Sequence, residues 1–186
     1  MIITSYFVGI LLDDIFIDLY NEIGQYLSDN KIKHLITLQN KSSLHITLYY
    51  FKKDIDKETI SSILLDIKTI KIPLIKIDEV KYFKNNNKYL LCYLNCDKQK
   101  IFEKINSYFA QKYKNDQVLD NQYQYIPHIS FFKINDQINF LRHKESIEKI
   151  IYKHIKLIDN KRVLDSVRLF KVNSKTDPET QIPMYT

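Results

Sequence analysis

Apolar and polar residues alternate along the chain in two patterns, which predict a series of strands and helices. Runs of β-branched and aromatic residues, some with strict alternation, predict strands. Apolar residues at every third or fourth position predict amphipathic helices. The predicted strands span 2–12, 44–51, 70–84, 88–95, 128–133, 155–158 and 163–172, and the predicted helices span 14–28, 56–67, 97–114 and 137–152.

The boundaries of several elements carry their own signals. Asp13 or Asp14 is suited to cap the first helix, because a short carboxylate can accept a hydrogen bond from a free N–H of the first turn. Asn85, Asn86 and Asn87 separate two predicted strands, and asparagine tolerates the positive φ of a tight hairpin turn. The mixed order of strands and helices predicts an α+β fold with mostly antiparallel strands.

One short pattern occurs twice, 83 residues apart. The segments 45–49 and 128–132 share the order histidine, apolar residue, hydroxyl residue, apolar residue, aromatic residue. Each copy lies in a predicted strand that follows a strand and a helix. The repeat predicts a duplicated lobe with approximate two-fold symmetry.

Strand geometry places the polar members of each copy on one face, because side chains alternate across a strand. This alternation predicts that the following residues face a common cleft: His45, Thr47, Tyr49, His128, Ser130 and Phe132. The intervening apolar residues then face the core.

Two histidines and two hydroxyls in one cleft suit phosphodiester chemistry without a metal. One imidazole can take a proton from the attacking oxygen while the other gives a proton to the leaving oxygen. Thr47 and Ser130 can donate hydrogen bonds to the non-bridging oxygens as charge develops there. The alternative is that His45 and His128 are strand residues with no catalytic role.

Composition excludes several classes of site. Gly9 and Gly24 are the only glycines, so nucleotide sites that need three closely spaced glycines are excluded. No apolar run reaches the ~20 residues of a membrane span, and residues 1–12 do not have the pattern of a secretory signal. Cys92 and Cys96 are too close together to frame a secreted disulfide scaffold, and they lack the second pair that a metal site would need. We therefore expect a reducing, cytoplasmic setting, no membrane association and no metal or other cofactor.

The formal net charge of +6 hints at an anionic partner. The hint is weak, because lysines outnumber arginines 25 to 3 and arginine is the usual bidentate ligand of phosphate. A genome rich in A and T would also favour lysine codons.

The chain resembles the two-histidine phosphoesterase superfamily, the LigT-like proteins that are also called 2′-5′ RNA ligases or RNA 2′,3′-cyclic phosphodiesterases. The signature of that superfamily is a pair of His-x-Thr/Ser motifs, one in each lobe. The resemblance covers nearly the whole chain and is carried by residues 6–10, 43–48, 81–83, 88–94, 126–130 and 167–170.

The resemblance implies a single domain over residues 1–186, formed by two intertwined, pseudo-symmetric lobes. Each lobe would be an antiparallel sheet backed by helices, with a cleft between the lobes. It also implies metal-independent hydrolysis of 2′,3′-cyclic phosphates at RNA ends or on small nucleotides. By analogy, His45 would protonate the leaving oxygen and His128 would activate water.

The residues around the motifs are expected to help bind substrate. Tyr49 and Phe132 could stack on a base or pack between the lobes, and Lys133 stands near the place where the superfamily often has an arginine. Tyr6, Phe83 and Tyr89 are expected in the core. The chain has no tryptophan before the first motif, which weakens any assignment of substrate.

Two other functions stay open. One is hydrolysis of 2′-5′ oligoadenylates or cyclic oligonucleotide second messengers, which would serve counter-defence. The other is a module that binds RNA ends without chemistry. In each case the partner is an RNA end or a nucleotide, and we expect a monomer.

Overall fold

The structure is a computed structural model, and it describes residues 5–12, 16–40, 44–51, 55–72, 74–97, 99–113, 125–158, 164–176 and 183–185. Its elements in chain order are β1 (Ser5–Leu12), α1 (Ile17–Asp29), β2 (Ile36–Leu38), β3 (His45–Phe51), α2 (Lys57–Thr69), β4 (Ile77–Asn85), β5 (Lys88–Cys96), α3 (Gln99–Lys112), β6 (Ile129–Ile134), α4 (Gln137–Ile158), β7 (Leu164–Thr176) and β8 (Pro183–Tyr185).

All strands of the described chain join one antiparallel sheet. The strand order is β4-β5-β6-β3-β1-β7-β8, and β2 pairs with the end of β6. The predicted α+β fold with antiparallel strands is therefore confirmed.

The two halves of the chain exchange strands. Apart from the short strand β2 between α1 and β3, the first half runs β1-α1-β3-α2 and the second runs β5-α3-β6-α4. The strand that follows α2 is β4, and it pairs with β5 of the second half. The strand that follows α4 is β7, and it pairs with β1 of the first half. Each half thus supplies an outer strand to the other half.

Local chemistry fixes two of the element boundaries. The Asp56 carboxylate accepts a hydrogen bond of 2.7 Å from the backbone N–H of Thr59, which caps α2. Asn86 and Asn87 adopt positive φ angles of 46° and 64° in the turn between β4 and β5. Two consecutive residues of positive φ match the twist of a two-residue hairpin. The predicted hairpin is confirmed.

One apolar core lies on one side of the sheet, and all four helices contribute to it. Ile23 of α1, Ile63 of α2, Phe102 of α3 and Ile151 of α4 are fully buried there. Phe7 and Tyr93 are also buried, yet neither belongs to that core cluster. Their side chains lie on the opposite face of the sheet. Among the described helices, none is both long enough and apolar enough to cross a bilayer.

Several boundaries differ from the predictions. The strand predicted over 155–158 is wrong, because α4 continues to Ile158. Ile147, Ile151 and Ile155 recur every four residues and are buried on one face of this helix. The strand predicted from residue 70 begins at Ile77.

The first helix and two short strands also differ from the predictions. Phe16 occupies the N-cap position of α1 and makes no side-chain cap hydrogen bond. The predicted caps Asp13 and Asp14 lie outside the described residues. The short strands β2 and β8 were not predicted, and each has only three residues.

Candidate active site

The two histidine motifs meet where the two halves of the sheet join. Ile46 of β3 pairs with Ile129 of β6 in an antiparallel register. Both isoleucine side chains are fully buried in the core. The flanking side chains therefore point to the other face, where His45, Thr47, His128 and Ser130 are all half-buried.

The antiparallel register also sets which motif residues face each other. Stepping one residue either way from the Ile46–Ile129 pair puts His45 opposite Ser130 and Thr47 opposite His128. Directly opposed Cβ atoms are about 4.5–5.5 Å apart, and diagonal ones are about 7–8 Å apart. His45 and His128 are therefore diagonal neighbours across the two strands.

A local two-fold axis relates the two motifs. A half-turn about the Ile46–Ile129 pair carries His45 onto His128 and Thr47 onto Ser130. The axis runs through the junction between the two halves, as the repeated sequence pattern predicts.

Two stacked aromatic rings support His45. The Phe7 ring lies 4.7 Å from the His45 ring between centroids, with 33° between their planes. Phe170 stacks on Phe7 at 4.7 Å and lies 6.4 Å from His45. These rings on β1 and β7 form an apolar wall behind the imidazole.

A second pair of stacked rings supports His128. Phe83 and Tyr93 stack at 4.4 Å. Phe83 meets the His128 ring edge-on at 4.9 Å, and Tyr93 meets it edge-on at 5.3 Å. The expectation that Phe83 lies in the core is wrong, because this side chain stands on the face that carries the motifs.

The stacked rings beside His45 and the stacked rings beside His128 form two aromatic walls. The two-fold axis relates their positions, but different strand residues supply them. The register places Gly9 next to Thr47 on β1 and Tyr93 next to Ser130 on β5, so Gly9 and Tyr93 are equivalent positions. A Cβ at Gly9 would lie 2.8 Å from the Phe7 ring and 2.8 Å from the Ile46 carbonyl oxygen. The Phe7 ring packs over the Gly9 backbone, where there is no side chain. In the other half, the equivalent position carries the Tyr93 ring.

A backbone carbonyl fixes the tautomer of His128. Its Nδ1 lies 2.7 Å from the carbonyl oxygen of Ile126. Since a carbonyl can only accept, Nδ1 carries the proton and the neutral ring has its lone pair on Nε2. Burial lowers the pKa of His128 below its ordinary value, and the bond to Ile126 opposes part of that effect. The group is therefore biased toward its neutral form.

A β-bulge follows the hydroxyl residue in both motif strands. In β3, Leu48 is the extra residue between the pairs Thr47–Gly9 and Tyr49–Val8. In β6, Phe131 is the extra residue between the pairs Ser130–Tyr93 and Phe132–Cys92. A bulge breaks the alternation of faces, so two consecutive residues turn to the same side.

The bulges overturn the predicted orientation of two aromatic residues. Tyr49 is 4% exposed and Phe132 is 1% exposed, and both belong to the core cluster. The Tyr49 hydroxyl donates to the Tyr113 carbonyl at 3.3 Å. Neither ring lies on the face that carries the histidines, because each comes directly after a bulge.

On each strand, the residue after the buried aromatic one lies on the face where Tyr49 and Phe132 were predicted to lie. Tyr50 is half-buried and its ring is parallel to Phe7 at 6.2 Å. Lys133 is exposed on the equivalent side of β6. Of the three predicted substrate-binding residues, only Lys133 therefore lies on the same face as the histidines.

Two further cations stand on the outer strands of this face. Arg168 of β7 pairs with Gly9, and Lys81 of β4 pairs with Tyr93, so the two cations are equivalent across the two-fold axis. Lys81 forms an ion pair of 3.0 Å with Glu79. Among the described residues, no cluster of three or more His, Cys, Asp or Glu side chains could hold a metal ion.

Solved structures of the same architecture cover nearly the whole chain. The crystal structure of Escherichia coli LigT complexed with 3′-AMP superposes with a TM-score of 0.57 at 11% identity, over 99% of this chain and 94% of LigT. The chain has the LigT-like fold. TT0787 of Thermus thermophilus gives a TM-score of 0.55 at 12% identity, covering 98% of this chain and 93% of that one. Usb1 of Kluyveromyces marxianus gives 0.51 at 11% identity, covering 98% and 96%.

This likeness confirms the LigT-like fold that the sequence predicted, although it does so at low sequence identity. No family model and no curated protein matches the sequence. The LigT-like fold brings both motif strands to the centre of the sheet, where the two-fold axis passes between them.

Four of the residues near the histidines were not predicted from the sequence. Phe7, Phe170, Tyr93 and Tyr50 reach this face through strand pairing and bulges. In the sequence of β1, Phe7 and Gly9 alternate with the core residues. This alternation could have predicted that Phe7 lies on the same face as the histidines.

Proposed function

We propose that the protein is a metal-independent phosphodiesterase that hydrolyses 2′,3′-cyclic phosphates at RNA ends or on small nucleotides. One observation carries the proposal. Two histidine-hydroxyl pairs meet around the Ile46–Ile129 pair, on the face of the sheet opposite the described helices. This arrangement suits a tetrahedral phosphate held between two imidazoles.

His128 is suited to be the general base. Its Nδ1–H is held by the Ile126 carbonyl, so Nε2 is the ring nitrogen that can accept a proton from water. The lowered pKa of His128 keeps this nitrogen unprotonated near neutral pH. The hydroxide that forms attacks phosphorus as the bond to the opposite ribose oxygen breaks.

His45 then supplies the proton that the leaving oxygen needs. It enters the reaction protonated and ends it neutral, while His128 ends it protonated, so exchange with solvent resets both rings. Thr47 and Ser130 donate hydrogen bonds to the non-bridging oxygens, which gain negative charge in the transition state. Each proton transfer of this kind contributes roughly 10²–10⁴ in rate.

The relatives of this fold agree with a nucleotide ligand. LigT was crystallised with 3′-AMP and with ATP, and a structure described as a phosphoesterase matches with a TM-score of 0.54 at 12% identity. The aromatic walls and the cations of this chain suit such a ligand, because bases stack on rings and phosphates attract cations.

The test is turnover of a nucleoside 2′,3′-cyclic phosphate in the presence of a metal chelator. We expect product from the wild-type protein, and loss of at least 10³-fold in kcat, as an order of magnitude, from His45→Ala and from His128→Ala. The exposed His34 offers a matched control, and His34→Ala should keep wild-type activity. Turnover that requires added metal, or a histidine variant of near wild-type rate, would count against the proposal.

Two residues beyond the motifs, on the face that carries the histidines, favour a second candidate function. This function is hydrolysis of 2′-5′ oligoadenylates or cyclic oligonucleotides. Tyr50 and the exposed Lys133 extend the face beyond the four motif residues, in opposite directions along the paired strands. An aromatic ring and a cation there could engage a further base and a further phosphate. Comparing kcat/KM for a linear 2′-5′ trimer and for a cyclic mononucleotide decides between the two candidates.

A binding module without chemistry is the remaining alternative. It predicts stoichiometric binding of RNA ends that persists when both motif histidines are replaced by alanine, together with no turnover of any phosphodiester. Fluorescence anisotropy with a labelled oligonucleotide that ends in a 2′,3′-cyclic phosphate measures the first quantity. Turnover by the wild type excludes this alternative.

A further inference from the structure

A half-buried tyrosine connects the two motif strands. The hydroxyl of Tyr125, in the chain that leads into β6, donates a hydrogen bond of 2.7 Å to the carbonyl oxygen of Thr47 in β3. Burial raises the pKa of Tyr125, so the phenol keeps its proton and stays a donor. Tyr125 belongs to the approach to the second motif, and its acceptor belongs to the first motif.

The ladder between the two motif strands is short. Within the described residues, β3 and β6 share only the Ile46–Ile129 pair. The bulge at Leu48 follows directly in β3, and bulges bend strands and interrupt their ladders. The Tyr125 hydrogen bond lies beside this break.

The connection from Tyr125 to His128 is short and constrained. Pro127 is buried, and its ring fixes the backbone φ angle between the two residues. The intervening Ile126 supplies the carbonyl oxygen that holds Nδ1 of His128. A displacement of Tyr125 is therefore passed on to the orientation of the His128 ring.

We propose that Tyr125 is a positioning residue, whose hydroxyl anchors the segment that orients His128 to the strand that carries His45. This inference rests on the proposed function, because the two imidazoles must stand on either side of one phosphate. Catalysis is sensitive to such placement, and an error of about 1 Å can cost on the order of 10²-fold in rate.

The variant Tyr125→Phe removes the hydroxyl and keeps the ring. We expect kcat to fall by about tenfold or more while KM changes by less than about twofold, because the groups that would contact substrate are all still present. The substrate is a nucleoside 2′,3′-cyclic phosphate, assayed at a temperature where circular dichroism shows the variant to be folded.

A spectroscopic signal reports on the same change without any turnover. The edge-on contacts with Phe83 and Tyr93 place the His128 ring in their ring currents, so its Cε1–H resonance depends on its orientation. We expect this resonance to move in Tyr125→Phe. The His45 resonance should move less, because its ring lies against Phe7 of β1 and Phe170 of β7.

Tyr26→Phe is the matched control, because it also deletes a half-buried tyrosine hydroxyl. That hydroxyl bonds to His143 at 2.8 Å between α1 and α4, on the helical side of the sheet. We expect it to alter thermal stability and to leave kcat and the His128 resonance unchanged. Equal losses of kcat in the two variants, or an unmoved His128 resonance in Tyr125→Phe, would overturn the proposal. If the wild type hydrolyses no phosphodiester, the proposed function fails, and the resonance still decides whether Tyr125 orients His128.

Discussion

At the scale of single residues, the two histidines are chemically unequal although a two-fold axis relates their positions. His128 has a backbone carbonyl on Nδ1 and edge-on contacts from two rings. His45 lies against a tilted phenylalanine ring. Equivalent positions therefore place the two imidazoles in different surroundings, and burial lowers the pKa of His128.

The pH dependence of kcat/KM should reveal the lowered pKa of His128. As the proposed base, His128 works only when neutral, so activity should fall as pH drops through its pKa in the free enzyme. Because burial lowers that pKa, we expect the midpoint of the acid limb to lie below the ordinary histidine value of about 6.5. Steady-state rates across the acid and neutral range, with His34→Ala as the control, measure it. A midpoint at or above the ordinary value would contradict this prediction.

Gly9 is a second residue whose identity follows from its neighbours. Its backbone lies under the Phe7 ring and against the Ile46 carbonyl. Because this carbonyl belongs to a central strand, moving it would disturb the sheet. Any side chain at this position would displace Phe7, which packs on His45.

Gly9→Ala should therefore reduce both stability and activity. We expect a loss of about 1–3 kcal/mol in the free energy of unfolding, typical of overpacking, and a lower kcat. Gly24→Ala is the control, because Gly24 lies inside α1 with nothing within 4 Å of a new Cβ. That change should stabilise the protein by about 0.5–1 kcal/mol, as urea unfolding can measure. A neutral Gly9→Ala would disprove the close approach of Phe7.

At the scale of elements, the paired bulges decide which side chains surround the histidines. Each bulge leaves a backbone carbonyl that needs a new partner. The Leu48 carbonyl accepts from the Asn106 side chain of α3 at 2.7 Å. The Phe131 carbonyl accepts from the backbone N–H of Gln39 at 2.8 Å. The two bulges are thus equivalent in position and differ in their support.

Asn106→Leu tests the support of the first bulge. The buried Leu48 carbonyl would lose its partner, which costs about 1–3 kcal/mol in the free energy of unfolding. Activity should also fall, because Thr47 directly precedes the bulge. In the control Asn30→Leu, a similar hydrogen bond to the Tyr26 carbonyl is lost at an exposed helix end, and the expected change is below about 0.5 kcal/mol. Equal effects of the two changes would argue against a role for the bulge.

Sequence patterns predict elements here better than they predict orientations. Periodicity predicts the two strands that carry the repeated motif, and turn chemistry predicts the asparagine hairpin. The orientation of Tyr49 and Phe132 does not, because a bulge shifts the alternation by one residue and leaves no sign in a run of apolar residues. The end of α4 was equally ambiguous, since the apolar residues of 155–158 suit a strand or the buried face of a helix.

At the scale of the whole molecule, the exchange of strands makes each half depend on the other. β4 and β7 each leave the half that precedes them in the chain and complete the sheet of the other half. The motif strands β3 and β6 then join the halves at the centre. We infer that residues 1–186 form one domain, and that neither half forms a complete sheet alone.

Unfolding in urea should accordingly be a single cooperative transition. Amide signals from β1 and from β5 should disappear at the same midpoint, because each strand loses one of its two partners if the other half unfolds. Tyrosine fluorescence should follow the same curve. Two separate midpoints would show that the halves are independent and would contradict the single-domain interpretation.

The pairing of β1 with β7 has a consequence for the nascent chain. β1 leaves the ribosome early, yet its outer neighbour is made more than a hundred residues later. Until then β1 exposes an unpaired edge of the kind that promotes aggregation. The sheet can therefore reach its final topology only after β7 has been synthesised, and the arrangement of the two histidines is complete only then.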